Sequence, residues 1–386
     1  MRRRKGTFRS RDPSLVWVVL FTTLSPFAFS ASVHYGKIRK TNQPAMVFPV
    51  RESTMRAMVL KACAPMETKP LEWLEVDDPL PGPGEVRIRV KACGICRTDL
   101  HVVEGELPSL GRPVIPGHQI VGLVDSIGTG CRRFKIDDRI GAAWLRQTCG
   151  TCVFCRSGQE NLCENARFTG YHAPGGYAEY AVVPEDFAYP IAPVFSDAEA
   201  APLLCAGIIG YRSLRRSQCK AGDTLALYGF GSSAHIVIQI AVHWGCTVYA
   251  VTRGERHRRL ALELGAKWAG SDAERLPAPA DSAIIFAPAG NLVPVALSRL
   301  RKGGTLALAG IYMTDIPGMN YEKHLFYEKN VHSVTANTRE DGMELLRIAA
   351  SIPIRPQVQT FAVQEANEAL LKLKNDRIEG SGVLVF

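Results

Sequence analysis

Short runs of alternating apolar and polar residues fill the chain from Met55 to about Pro190. In Glu85-Val-Arg-Ile-Arg-Val90 the apolar side chains Val86, Ile88 and Val90 share one face, as in a half-buried strand. Gly122–Ile127 and Tyr177–Val182 read the same way, and turn residues such as Pro81-Gly-Pro-Gly84 separate the runs. The rhythm changes near Ala206. Continuous apolar runs at Thr224–Tyr228, Thr247–Val251, Ala283–Phe286 and Thr305–Leu308 read as buried strands. Between them, His235–Trp244, Arg256–Leu264 and Leu292–Leu300 carry apolar residues at helical spacing. Strands alternating with helices predict a doubly wound parallel sheet, so the expected class is α/β plus β. Further helices are expected at Glu340–Ala350 and Val363–Lys374, with an end strand at Gly382–Phe386.

The 386 residues suffice for two or three domains, and 46% hydrophobic with 22% charged is a globular composition. The net charge of +9 hints at an acidic partner, but its location removes the hint. Residues 1–54 hold ten Lys/Arg against two Asp/Glu, a net of +8, so the remaining chain carries +1. No extended phosphate-binding face is expected, and hence no nucleic acid partner.

The N-terminal extension, residues 1–54, admits several readings. Arg2-Arg3-Arg4-Lys5 precedes an apolar run, Leu15–Phe29, and small residues Ser30-Ala31-Ser32, as in a secretory signal. The globular pattern begins abruptly at Met55-Arg-Ala-Met58, as it would after an over-extended start. A membrane anchor is the third reading, weakened by the shortness of the run and by Pro26. No membrane is expected for the folded body. Its cysteine usage points to a reducing compartment, so the expected location is cytoplasmic, with secretion left open by the extension.

Four cysteines, Cys149, Cys152, Cys155 and Cys163, stand at C-x2-C-x2-C-x7-C spacing. One tight loop would supply three corners of a tetrahedron and the longer gap would return the fourth, as in a closed structural zinc site. A disulfide knot and a redox CxxC are the competing readings. Gly229-x-Gly231-x-x-Ala234 lies between a strand and a helix. Gly229 permits the turn, Gly231 admits a pyrophosphate, and Ala234 lets helix meet strand, which is the dinucleotide-binding pattern. The next strand ends at Val251-Thr252-Arg253, without the acid that usually binds the ribose 2′-hydroxyl of NAD. Thr252 and Arg253 suit a 2′-phosphate, favouring NADP over NAD, although the basic run beyond them is also what an exposed helix start looks like. Cys96, His118 and Cys205 are candidates for a catalytic metal with one open position. Spacing alone does not assemble them. A lone His is often structural, and Cys205 also reads as a buried core thiol.

Set in order, these segments resemble the zinc-containing alcohol dehydrogenases of the medium-chain dehydrogenase/reductase superfamily. The matching text is Cys93-Gly-Ile-Cys96-Arg-Thr-Asp-Leu-His101, Pro116-Gly-His118, the four-cysteine lobe, Gly175-Gly-Tyr-Ala-Glu-Tyr180, Pro202-Leu-Leu-Cys205-Ala-Gly207 and the dinucleotide turn. The resemblance runs from Met55 to the C-terminus. It implies a GroES-like catalytic domain over residues 55–205, completed by 338–386, and a Rossmann domain over 206–337, with the active site in the cleft. It implies two zinc ions per subunit. Cys96, His118 and Cys205 would bind the catalytic one, and Cys149, Cys152, Cys155 and Cys163 the structural one. Thr98 would hydrogen-bond the alcohol oxygen, His101 would pass its proton outward through the cofactor ribose, and Asp99 would orient His118. The implied reaction interconverts an alcohol and its aldehyde or ketone by hydride transfer to NADP or NAD. The expected partners are that small molecule and further copies of the chain, as a dimer or tetramer.

Trp144-Leu145 resembles a pair found in relatives that handle short alcohols, including the yeast fermentation enzymes. It favours small primary alcohols, although a core Trp is an equal reading. Two positions depart from the family pattern. Gln119 follows the metal histidine where many relatives have Glu, and Ser381 stands where yeast-type enzymes place an Arg against the cofactor pyrophosphate. An aryl or allyl (cinnamyl-type) alcohol dehydrogenase or aldehyde reductase is the nearest rival, and a non-catalytic nucleotide-binding relative is the other.

Overall fold

The computed structural model describes residues 53–386 apart from Ala273 and Pro353. The readings made for the N-terminal extension lie outside these residues, but for its last two. Two large sheets organise the described chain. The first has six strands, in the order Trp268–Gly270, Thr247–Val251, Thr224–Tyr228, Ala280–Ile285, Leu300–Leu308 and Asn330–Ser333. Every pairing in it is parallel. Numbered by position along the chain, this is the order 3-2-1-4-5-6 of a doubly wound dinucleotide fold. The order reverses beside Thr224–Tyr228, and Gly229 leaves the sheet at that point. Gly229 has φ +87°, and a Cβ there would meet the Ala287 nitrogen at 2.9 Å, so only glycine fits the turn.

The second sheet is mixed, with seven strands. Val358–Ala362, Ser381–Val385, Glu85–Ile95, Gln119–Ile127, Arg139–Ala142 and Ala188–Pro190 follow one another, and Tyr180–Pro184 also pairs with Glu85–Ile95. Its C-terminal strand sits beside the strand that leads into Cys96, with Gly382 opposite Ile95 and Leu384 opposite Cys93. These are the GroES-like and Rossmann-type layers expected. The strand read at Tyr177–Val182 begins instead at Tyr180, because the Tyr177 backbone bonds to Pro116 and Met58.

A run of helical turns joins the two sheets. Ser196 and Glu199 form a capping box that starts the helix Asp197–Pro202. A π turn, Leu203–Gly207, follows, and the helix Ile208–Arg216 continues it. The boundary expected at 205/206 falls inside this run. Leu203, Leu204 and Ile208 are fully buried in one core with Val121 and Val383 of the mixed sheet and Leu225, Leu227 and Ile284 of the parallel sheet. Burying each such side chain contributes roughly 1.5–3 kcal/mol, so the run ties the two sheets together. Among the described residues no helix is long and apolar enough to cross a membrane.

Candidate active site

Cys96 stands where the Glu85–Ile95 strand ends and the helix Arg97–Glu104 begins, as that helix's N-cap. Asp99, three residues later in the first turn of that helix, folds back, and its Oδ2 accepts the Cys96 N–H at 2.8 Å. Its Oδ1 accepts the Gly117 N–H at 3.2 Å and faces His118 Nδ1, also at 3.2 Å but off the line of a good hydrogen bond. Both side chains are 1% exposed. A carboxylate so buried is tolerable only because these donors surround it. Gly117 has φ +96°, and a Cβ there would strike the Tyr177 ring, so the Pro-Gly-His turn needs its glycine to aim His118.

Cys205 reaches the same point from the π turn, a distortion often found at functional sites. The Cys96 Sγ lies 3.4 Å from His118 Nε2 and 3.9 Å from the Cys205 Sγ. Three residues 109 positions apart at the extremes thus present their donor atoms within 4.8 Å of one another. Tetrahedral zinc with thiolate and imidazole ligands places them about 3.5–3.8 Å apart, so the donor set fits such an ion. The hydrogen bond to Cys205 and burial push the Cys96 thiol well above its ordinary range. A cation is what would make a thiolate stable there.

Cys93 does not share this cluster. It is buried in the core of the mixed sheet with its thiol toward the Gly94 carbonyl. Gln119 is buried beside His118, and its amide packs where a Cβ on Gly94 would stand. Its Nε2 has no partner among the described residues, an orphaned donor next to the three candidate ligands.

Thr98 is buried, two residues beyond Cys96. His101 lies one turn further along the helix, and its Nδ1 pairs with the Glu106 carboxylate. Sequence reasoning did not find Glu106, whose only signal was an acid just past the helix end. Trp144 sets its ring edge-on to His118 at 5.1 Å and stacks on Phe168 at 4.8 Å and on Tyr171. Its place is therefore a wall of the candidate site as well as a core contact. Phe168 and Tyr171 were not singled out from the sequence.

The four remaining candidate ligands form a separate lobe. The Cys155 Sγ lies 3.5 Å from Cys152 and 3.9 Å from Cys149, and the Cys163 Sγ accepts the Cys149 N–H at 3.4 Å. All four sulfurs fall within 4.8 Å of one another, and all eleven cysteines are free thiols, so the disulfide knot is absent. The backbone N–H groups of Thr151 and Cys152 bring the Cys149 thiol down to about 6. Amides aimed at sulfur favour thiolate, as a metal ligand requires.

The dinucleotide turn lies at the carboxyl end of the interior strand Thr224–Tyr228 of the parallel sheet. Nothing stands within 4 Å of a Cβ built on Gly231, Ala234 is fully buried, and the helix Ser232–His243 starts between them. The Ser381 hydroxyl touches that of Ser232, so the departure at 381 does fall beside this turn. Thr252 donates its N–H to the Gly270 carbonyl at 2.8 Å. Arg258 pins the Thr252 and Arg253 carbonyls at 3.0 and 3.3 Å, while the Arg253 side chain is exposed.

Residues 82–193 match the family described as Alcohol dehydrogenase GroES-like domain, and 234–351 match Zinc-binding dehydrogenase. The chain is 49% identical over 346 residues to "Probable alcohol dehydrogenase AdhA" of Mycobacterium tuberculosis, covering 88% of this chain and all of that one. An alcohol dehydrogenase of Geobacillus stearothermophilus is 36% identical over 82% of this chain and 96% of its own. Among solved structures, a cinnamyl alcohol dehydrogenase of Sorghum bicolor superposes with a TM-score of 0.79 at 26% identity, over 86% of this chain and 98% of its own. A cobalt- and zinc-bound alcohol dehydrogenase of Pyrobaculum aerophilum gives the same score and identity, over 86% and 100%. Sheet order, donor clusters and relatives agree: the chain belongs to the zinc-binding alcohol dehydrogenases of the medium-chain dehydrogenase/reductase superfamily.

Proposed function

We propose that this alcohol dehydrogenase is zinc-dependent and oxidises a small primary alcohol, or reduces its aldehyde, with NADP preferred over NAD. The observation that carries the reading is the convergence of Cys96, His118 and Cys205, with Asp99 behind the histidine. These three would hold a catalytic zinc, and Cys149, Cys152, Cys155 and Cys163 a structural one, two per subunit. When bound, zinc supplies a Lewis acid that acidifies an alcohol hydroxyl, and the nicotinamide accepts the hydride.

The chain's own residues do the rest. Thr98 orients the alcohol hydroxyl and takes its proton into a hydrogen-bonded path. His101 carries that proton to solvent, its ring held by Glu106. Asp99 keeps His118 in one orientation and balances charge. Trp144, backed by Phe168 and Tyr171, narrows the space beside His118 and excludes bulky substrates. Gly229, Gly231 and Ala234 shape the pyrophosphate turn. Thr252 and the free Arg253 side chain meet the ribose 2′ position. Residues 55–205 with 338–386 make the catalytic domain and 206–337 the cofactor domain, read as functional units across the joining helices. Ile311, Tyr312, Ile316 and Tyr321 are exposed in the segment that precedes the edge strand Asn330–Ser333 along the chain, which suits burial in a homo-oligomer. Cysteines grouped as metal ligands suit a reducing compartment, so we place the folded body in the cytoplasm.

The aromatic wall also suits stacking on an aryl alcohol, so the cinnamyl-type reading stays as the second one. The test is an assay of the purified full-length chain with NAD and NADP against a panel from ethanol to a cinnamyl-type alcohol, with zinc counted per subunit. Two zincs, and a higher kcat/KM for ethanol with NADP, are expected. A large preference for the cinnamyl-type alcohol would reverse the substrate assignment, and no alcohol-dependent reduction would overturn the function.

A further inference from the structure

The helix Ser232–His243 is almost wholly apolar where it is buried, yet it carries three polar side chains on one face. Ser232, His235 and Gln239 follow at spacings of three and four, so they line up along the helix. Each bonds to the C-terminal segment of the chain. The Ser232 hydroxyl meets that of Ser381. Gln239 donates to the Arg355 carbonyl at 3.2 Å and accepts the Arg355 N–H at 2.9 Å. His235 lies between them and is fully buried.

The two nitrogens of His235 face opposite ways. Nε2 lies 3.2 Å from the Gln357 N–H, which is a donor, so Nε2 accepts. The ring proton therefore sits on Nδ1, 3.3 Å from the Gly231 carbonyl. Burial holds the ring near pKa 4, so this single neutral tautomer persists at working pH. One end of His235 thus grips the dinucleotide turn and the other grips the strand connection at Gln357. The Gln357 carbonyl accepts the Ser381 N–H at 2.9 Å, and Ser381 opens the strand that pairs with Glu85–Ile95, Gly382 opposite Ile95. The next residue is Cys96.

We propose that His235 is a positioning residue: through Gln357 and Ser381 it fixes the cofactor turn at Gly231 relative to the strand that delivers Cys96. The inference rests on the function proposed above, in which hydride passes between a bound cofactor and an alcohol held near Cys96. A fault in that spacing acts on the transfer step, since about 1 Å of misplacement costs roughly 100-fold in rate.

The test compares the wild type with His235→Phe, which removes both bonds, and His235→Gln, whose side-chain oxygen still reaches the Gln357 N–H. Hydrogen exchange is read with and without NADP, which needs binding but no turnover. In the wild type, NADP should slow exchange both at 229–240 and at 93–97. In His235→Phe it should slow exchange at 229–240 alone, and His235→Gln should restore the wild-type pattern. Turnover should drop about 10- to 100-fold in His235→Phe with KM for NADP nearly unchanged, and the isotope effect with deuterated alcohol should rise. Equal protection at 93–97 in wild type and His235→Phe would overturn the proposal, as would a change confined to KM. If His235→Phe does not fold, Gln239→Ala, which removes a neighbouring bond pair, decides by the same exchange readout, with unchanged coupling counting against the seam. A wild type that binds NADP but oxidises no alcohol would sink the proposed function, and the exchange pattern would still judge the seam.

Discussion

Asp99 illustrates how much one side chain carries here. Its carboxylate accepts two backbone N–H groups, one at each candidate ligand's end of the turn, and faces His118. Asp99→Asn keeps the shape and removes the charge. Its zinc affinity, read by competition with a chelator, should fall about 10- to 100-fold; an unchanged value would remove Asp99 from the ligand's support. His235 makes a prediction of the opposite kind, about pH. Its ring titrates near 4 when folded, because burial disfavours the charged form, and near 6.5 when unfolded. Between those values the unfolded chain binds a proton that the folded chain does not. Stability from this group is therefore full above about pH 6.5 and is lost as pH falls toward 4, at up to about 1.4 kcal/mol per pH unit. Urea unfolding of wild type and His235→Phe should show a gap that narrows from pH 7 to pH 5, and parallel curves would contradict a ring held neutral by burial. Cys96, His118 and Cys205 were readable only through a family's ordered motifs. Glu106 and His235 were not readable, because their roles depend on partners brought near by folding.

Four of the six strands of the parallel sheet were recovered from apolar runs, Thr224–Tyr228 and Thr247–Val251 with their own ends and the other two with ends moved by up to five residues, because burial on both faces leaves a continuous apolar run; the three-residue strand Trp268–Gly270 was too short to read. The Arg97–Glu104 helix was missed: it is short and largely polar, and its start rests on a carboxylate that folds back to Cys96. The edge strand Asn330–Ser333 was missed because three of its four residues are exposed. The cysteine lobe shows how elements lock together. Glu160, buried in the turn before Cys163, accepts the Arg339 N–H at 2.8 Å and the Arg339 guanidinium at 2.7 Å, tying the lobe to the helix Arg339–Ser351. Burial would raise the Glu160 carboxyl, but the Arg339 hydrogen bonds outweigh it and hold it below the usual range. Its contribution is thus present above about pH 4.5 and lost as pH falls further. Glu160→Gln should cost about 1–2 kcal/mol at neutral pH, discounted for the partly exposed Arg339, and less below pH 4.5. Thermal unfolding across that range checks it, and an undiminished loss in acid would contradict the ion pair.

At the scale of the whole molecule, the C-terminal strand of the described chain lies beside the strand that leads to Cys96. Ser381–Val385 lies between Val358–Ala362 and Glu85–Ile95, with Val383 and Leu384 fully buried. Removing residues 376–386 would bare an edge of the strand that carries Cys96. Such a truncation should yield little soluble protein, and a soluble, zinc-loaded product would show that the C-terminal strand is dispensable. Two sheets and the helices joining them place the Gly229–Ala234 turn and the Cys96, His118 and Cys205 cluster on one connected frame, which is the account's central claim. The most direct measurement is the alcohol-dependent reduction of NAD or NADP by the full-length chain and by Cys96→Ser, with zinc counted in both. The account predicts two zincs and turnover for the wild type, and for Cys96→Ser a loss of one zinc with a drop of at least about 1000-fold in kcat/KM. Turnover by Cys96→Ser at the wild-type rate would contradict it.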